Sequence, residues 1–139
     1  MDISIIIFLL GGLFLGWSLG ANDAANVFGT AVGTRMVRFK TAAIICSIFV
    51  ILGAIISGAG TTETLGKLGA INALPGAFAA CIAAGISVYL MTKAGLPVST
   101  TQAIVGAIVG WNLYTGSATN IKVLITCLLY TSDAADDSL

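Results

Sequence analysis

Four apolar stretches approach or reach the ~20 residues that a helix needs to cross a hydrocarbon core, and they leave little chain for anything else. They cover residues 3–19, 41–60, 73–92 and about 94–114, and a fifth apolar run starts at Ile121. Backbone amides in lipid must be satisfied within their own segment, so such a chain is expected to fold as an all-α, polytopic transmembrane bundle. Composition agrees. Of 139 residues, 58% are hydrophobic and 9% charged, and the mean hydropathy is +1.04. A soluble domain of this size carries about a quarter of its residues charged, which excludes a water-soluble enzyme. The absence of histidine removes Ser/His and Cys/His catalytic pairs and His-containing zinc sites. Six basic residues, no more than three of them together, give no nucleic-acid footprint. Cys46 and Cys81 lie inside apolar runs without metal-ligand spacing, and with Cys127 they outline no disulfide framework.

The first stretch follows Asp2 and lacks the basic flank of a cleaved leader, so it is expected to stay as a first span. Arg35, Arg38 and Lys40 cluster between the first two stretches, whereas the next loop sets Glu63 beside Lys67. The positive-inside rule then places residues 34–40 in the cytoplasm and the N-terminus outside, in a multi-pass protein of the cell membrane. Gly95, Pro97 and a Ser-Thr-Thr run occupy the start of the fourth stretch, so 94–114 reads as a re-entrant hairpin as readily as a full span. Small residues four apart, such as Gly12, Gly16 and Gly20 or Gly106 and Gly110, suit close helix packing and are assigned no chemistry.

Two polar interruptions carry the chemistry. In the first, Gly20 to Asn26 brings Asn22, Asp23 and Asn26 within membrane depth. From Ile3 to Thr34 a helix would run about 48 Å, so a break at Gly20–Asn26, a discontinuous first helix, is expected. An ionised Asp in hydrocarbon costs at least ~2.5 kcal/mol, and such residues face a cavity or a partner. Carboxylate and amide oxygens suit a hard cation, although the same residues can cap a helix end. In the second interruption, Ser99, Thr100 and Thr101 precede an apolar helix, and Gln102 stands three residues after Ser99. That is a capping-box signature. A helix N-terminus with three hydroxyls inside a membrane is equally an anion site. The apolar stretches hold no Arg or Lys to balance an oxyanion, so a cation held at Asp23, either Na+ or H+, would supply the charge, as in a cation-coupled symporter.

At these residues the chain resembles the inorganic phosphate transporter (PiT) family. Gly20-Ala21-Asn22-Asp23-Ala24-Ala25-Asn26 is similar to one family signature and Leu96-Pro97-Val98-Ser99-Thr100-Thr101 to a second. The resemblance implies sodium-coupled symport of inorganic phosphate, with two inverted repeats of which this chain matches the N-terminal one. It implies a coupling-cation site at Asp23, Asn22 and Asn26. Phosphate contacts are implied at Ser99, Thr100, Thr101, Asn22 and Asn26. No catalytic residue and no cofactor beyond the coupling ion is expected. The partners implied are phosphate, the cation, membrane lipid and the second repeat, with a homo-oligomer left open. Gln102 stands where many members have His, Val27 replaces a commoner Ala, and the second repeat is missing. A sulfate permease of the same family is the nearest alternative, and a non-transporting packing module or phosphate sensor the alternative from another class.

The segment from Cys127 to Asp137 resembles the translation of a transposase-type sequencing adapter, so residues 127–139 are expected to be non-native. Residues 1–126, the expected repeat, carry six bases against the three acids Asp2, Asp23 and Glu63, a net charge of +3.

Overall fold

The computed structural model describes residues 3–68, 74–96 and 98–136. The expected start of the third span at Ala73 and Pro97 of the second motif fall outside the described residues. The chain forms helices α1 (Ile3–Gly33), α2 (Phe39–Leu68), α3 (Leu74–Lys93), α4 (Thr100–Thr115) and α5 (Ile121–Asp136), with no strand among the described residues. Three segments, Ile5–Gly33, Phe39–Gly60 and Leu74–Lys93, are long and apolar enough to cross a membrane. The 16 residues of α4 span about 24 Å, less than a crossing needs.

The expected break in the first helix is not there: α1 runs 31 residues without interruption. Ala21, Ala24 and Ala25 are strong helix formers and the stretch has no proline, while a single interior Gly20 costs only about 1 kcal/mol. The Asn22 side chain is also engaged outside α1, at Val98 and Thr92, so it does not compete for its own helix's backbone. At about 46 Å, α1 exceeds a bilayer core and must tilt or project.

Helices α1 and α3 lie side by side and parallel. Phe8 meets Phe78 edge-on with ring centroids 5.7 Å apart, Trp17 meets Tyr89 at 5.6 Å, and Asn22 meets Thr92. Each step along α1 is thus matched by a step in the same direction along α3, with α2 as the reversing element between them. Glycine allows the approach: a Cβ on Gly85 would sit 2.8 Å from the Phe14 ring and 3.4 Å from the Leu15 backbone. The tight contacts fall at Gly11, Gly76 and Gly85, whereas Gly12, Gly16, Gly20, Gly106 and Gly110 open onto space. A four-residue spacing marks a smooth stripe, but the neighbouring helix decides which stripe is covered.

Helix α4 returns antiparallel to α3, with the Trp111 indole over Gly76. Buried Leu68, Ala80, Val105 and Ile108 form the core where α2, α3 and α4 meet. Helix α4 ends at Gly116 in the left-handed region (φ 69°), which lets the amides of Gly116 and Ser117 turn back to the carbonyls of Leu113 and Asn112. The buried Asn112 donates Nδ2 to Thr119 Oγ1 at 3.0 Å, and the Asn120 amide donates to the Leu68 carbonyl at 3.1 Å, tying the start of α5 to the end of α2. The outer face of α2 exposes Ile44, Ile48, Phe49, Ile55 and Ile56, the surface expected of a helix among lipid tails. Beyond its apolar part, Lys67 donates to Glu63 at 2.6 Å, and that hydrogen bond, with the lysine charge, holds the Glu63 carboxyl below its usual range.

Helix α3 ends at Lys93, next to the Thr92 that meets Asn22, and α1 continues to Gly33, about 16 Å further. The re-entrant hairpin expected at 94–114 does not form within those residues, because no glycine turn or proline interrupts Thr100–Thr115: they hold the connection to α4 and most of that single helix. The hairpin is made by α3 with α4, and its turn lies partway along α1 rather than at its end. That level sets the depth of both polar motifs.

Candidate functional site

Ser18, Asn22 and Asn26 fall four apart on α1, on one stripe. The stripe faces α3 as far as α3 lasts. Ser18 is 1% exposed and Asn22 3%, but Asn26 stands one turn beyond the end of α3 and is exposed, as is Asp23. The same helical face thus runs from a dry interface into an open step above the α3–α4 turn.

Asn22 holds that step together. Its Nδ2 donates to the carbonyl of Val98 at 3.1 Å and to Asp23 Oδ1 at 3.1 Å, and its Oδ1 accepts from Thr92 Oγ1 at 3.1 Å. Both amide hydrogens are used, and one lone pair of Oδ1 is left. One side chain of α1 thereby grips the hairpin before its turn, at Thr92, and after it, at Val98.

Val98 lies within the second motif, directly before Ser99. Ser99 is in extended conformation (φ −78°, ψ 112°) and caps α4, its Oγ accepting from the Gln102 amide at 3.4 Å. Thr100 and Thr101 form the first turn of the helix, half-buried and exposed respectively, and among the described residues their hydroxyls have no hydrogen-bond partner. Their amides belong to the unsatisfied donors of a helix N-terminus. The arrangement offers a carboxylate and an amide oxygen on α1 and amide donors with free hydroxyls on α4, linked through Asn22. Lys93, the last residue of α3, is exposed and lies over the Tyr89 ring, 5.6 Å from its centroid.

The structure brings Asn22 against Val98, the residue before Ser99, and links Asp23 to it only through the Asn22 amide; Asn26 is exposed, without a hydrogen bond among the described residues. Sequence reasoning missed two participants. Thr92 carries no motif, and only the parallel packing of α1 and α3 reveals it. Ser18 was detectable as the residue one turn before Asn22; its hydroxyl is buried with no partner among the described residues.

The chain is similar to a protein of Pyrococcus furiosus named "Putative phosphate permease", with 38% identity over 143 residues, 92% of this chain and 34% of that protein. Proteins of the same name in Thermococcus kodakarensis (38% identity over 121 residues) and Pyrococcus abyssi (41% over 121) each match 81% of this chain and 30% of their own length. The chain thus spans about a third of the length of these curated relatives. No solved structure matches it. The model of the phosphate transporter family matches residues 19–132, from the polar stripe of α1 through the hairpin into α5, and the chain belongs to that family.

Proposed function

We propose that this chain forms part of a carrier that moves inorganic phosphate across the membrane together with a cation, sodium rather than a proton, and performs no covalent chemistry. The observation that carries this reading is the Asn22 amide, which joins the Asp23 carboxylate to the carbonyl preceding Ser99. Asp23, Asn26 and the free lone pair of Asn22 Oδ1 are hard oxygen donors of the kind that replace a cation's hydration shell. The N-terminus of α4, with Ser99, Thr100 and Thr101, suits a tetrahedral oxyanion. For Asn22 to donate to phosphate, its Nδ2 would exchange one of its two present bonds.

The pairing has a physical logic. An oxyanion near Asp23 is repelled unless that carboxylate is neutralised, so a cation bound there makes phosphate binding favourable and each ligand raises the affinity of the other. The second, inverted repeat that the resemblance implies would complete the path. The exposed Arg35, Arg38 and Lys40, past the end of α1, support a cytoplasmic loop at 34–40 with the N-terminus outside.

The test is uptake of labelled phosphate by cells that express the complete gene and lack their own uptake system. We expect uptake to need sodium, to resist excess sulfate, and to fall at least about tenfold in Asp23→Asn and in Thr100→Ala. Parental rates in both variants would overturn the site assignment, and uptake of labelled sulfate without uptake of labelled phosphate would make sulfate the substrate.

A further inference from the structure

We propose that Thr92 is a positioning residue of this site: through its hydrogen bond to Asn22 it sets the amide that ties the Asp23 carboxylate to the turn bearing Ser99, Thr100 and Thr101. The inference rests on the transport reading given above for its functional part and on geometry alone for its structural part.

An asparagine amide has two chemically opposite ends, an acceptor and a donor, and its orientation decides what each neighbour meets. At Asn22 two acceptors fix which end is which, and Thr92 supplies the donor that the remaining end requires. Val98 O and Asp23 Oδ1 can only accept from the side chain, and each lies 3.1 Å from Nδ2. Thr92 Oγ1 lies 3.1 Å from Oδ1 and donates to it. Asn22 is 3% exposed, so water cannot replace the threonine. Without that hydroxyl, Oδ1 becomes a buried acceptor with no donor, and the relief available is a movement of the Asn22 side chain out of its buried position. That movement breaks the bonds to Val98 and Asp23 together.

The consequence is specific to the geometry. Among the described residues Thr92 makes no hydrogen bond to Asp23 or to the α4 N-terminus, yet both depend on the amide that it holds. Its hydroxyl also stands at the last turn of α3, so it anchors the near end of the hairpin turn while Val98 anchors the far end. Loss of the hydroxyl therefore frees residues 94–99 at one end directly and at the other through Asn22.

Thr92→Val keeps the side chain's shape and removes the donor; Thr92→Ser keeps the donor. Two measurements separate a positioning role from general damage. Hydrogen exchange on the product of the complete gene in nanodiscs reads the turn without reference to transport. The amides of residues 94–96 and 98–101 are expected to exchange about tenfold faster in Thr92→Val, with Thr92→Ser restoring the parental rate and α2 unchanged in both. In uptake by the complete gene, Thr92→Val is expected to raise the KM for phosphate and for sodium about tenfold with a smaller change in kcat, and Thr92→Ser to recover both. Unchanged exchange in Thr92→Val, or Thr92→Ser behaving like Thr92→Val, overturns the proposal. Faster exchange with unchanged KM values overturns its functional part. If the parental protein moves no phosphate, the transport reading fails, and the exchange data still decide whether Thr92 orients Asn22.

Discussion

Ser99 has one observed task and one proposed, and substitution can separate them. Its Oγ accepts from the Gln102 amide and so caps α4, and its position at the helix start makes it a proposed phosphate contact. Aspartate caps a helix about as well as serine does, but its charge opposes an oxyanion at the same place. In Ser99→Asp we expect thermal unfolding within about 1 kcal/mol of the parent, with phosphate uptake abolished. Ser99→Ala should show the reverse balance, a stability loss of about 1 kcal/mol with partial uptake. Equal uptake in Ser99→Asp and the parent would leave Ser99 as a cap alone. At this scale the sequence exposed the residues whose chemistry is unusual for their surroundings: an acid, two amides and three hydroxyls in apolar company. Thr92 escaped notice because a threonine near a helix end is ordinary, and its meaning comes from which residue of α1 it faces. Ser18 escaped for the opposite reason: its hydroxyl looks ordinary until burial removes its water.

Each helix boundary followed from local chemistry where a cap or a glycine marked it. The start of α4 was legible in Ser99 and Gln102, and its end is set by the left-handed Gly116. The continuity of α1 was not legible, because the length of a bilayer core suggested a break where no helix-breaking residue enforces one. Packing was the least legible level. Glycines spaced by four form the visible pattern, yet the glycine with a neighbouring backbone against it is Gly85, which meets Phe14 and Leu15 of α1. A methyl group there sits 2.8 Å from the Phe14 ring, so the ring or the helix that carries it must shift. Gly85→Ala should cost about 1–3 kcal/mol, the usual range for overpacking, although alanine favours the helix. Gly106→Ala meets nothing within 4 Å and should be neutral or stabilising by up to about 1 kcal/mol. Thermal melts of the two variants in one detergent make the comparison; equal stability changes would mean that the α1–α3 contact is loose enough to absorb a methyl group.

For the whole molecule, a multi-pass membrane protein of the phosphate transporter family, the decisive feature is unequal helix length. Helices α1 and α2 have 31 and 30 residues, the arms of the α3–α4 hairpin 20 and 16. The short arms begin and end level with the N-terminal part of α1 and the C-terminal end of α2, as the Phe8–Phe78 and Leu68–Asn120 contacts show. The turn at 94–99 consequently stops about 16 Å short of the end of α1, so that a path from the 34–40 side must descend along α1 to reach Ser99 and Thr100. That geometry predicts an asymmetric labelling pattern. With the native cysteines replaced, Met36→Cys should react with a membrane-impermeant maleimide from the cytoplasmic side and Ser117→Cys from the outer side. Leu96→Cys, at the turn, should react from the cytoplasmic side, more slowly than Met36→Cys because the reagent has to enter, and phosphate with sodium should slow it further. Leu96→Cys labelled as fast as Met36→Cys would put the turn at the membrane surface, and the site with it. Labelling of Met36→Cys from the outer side and of Ser117→Cys from the cytoplasmic side would instead reverse the orientation drawn from Arg35, Arg38 and Lys40.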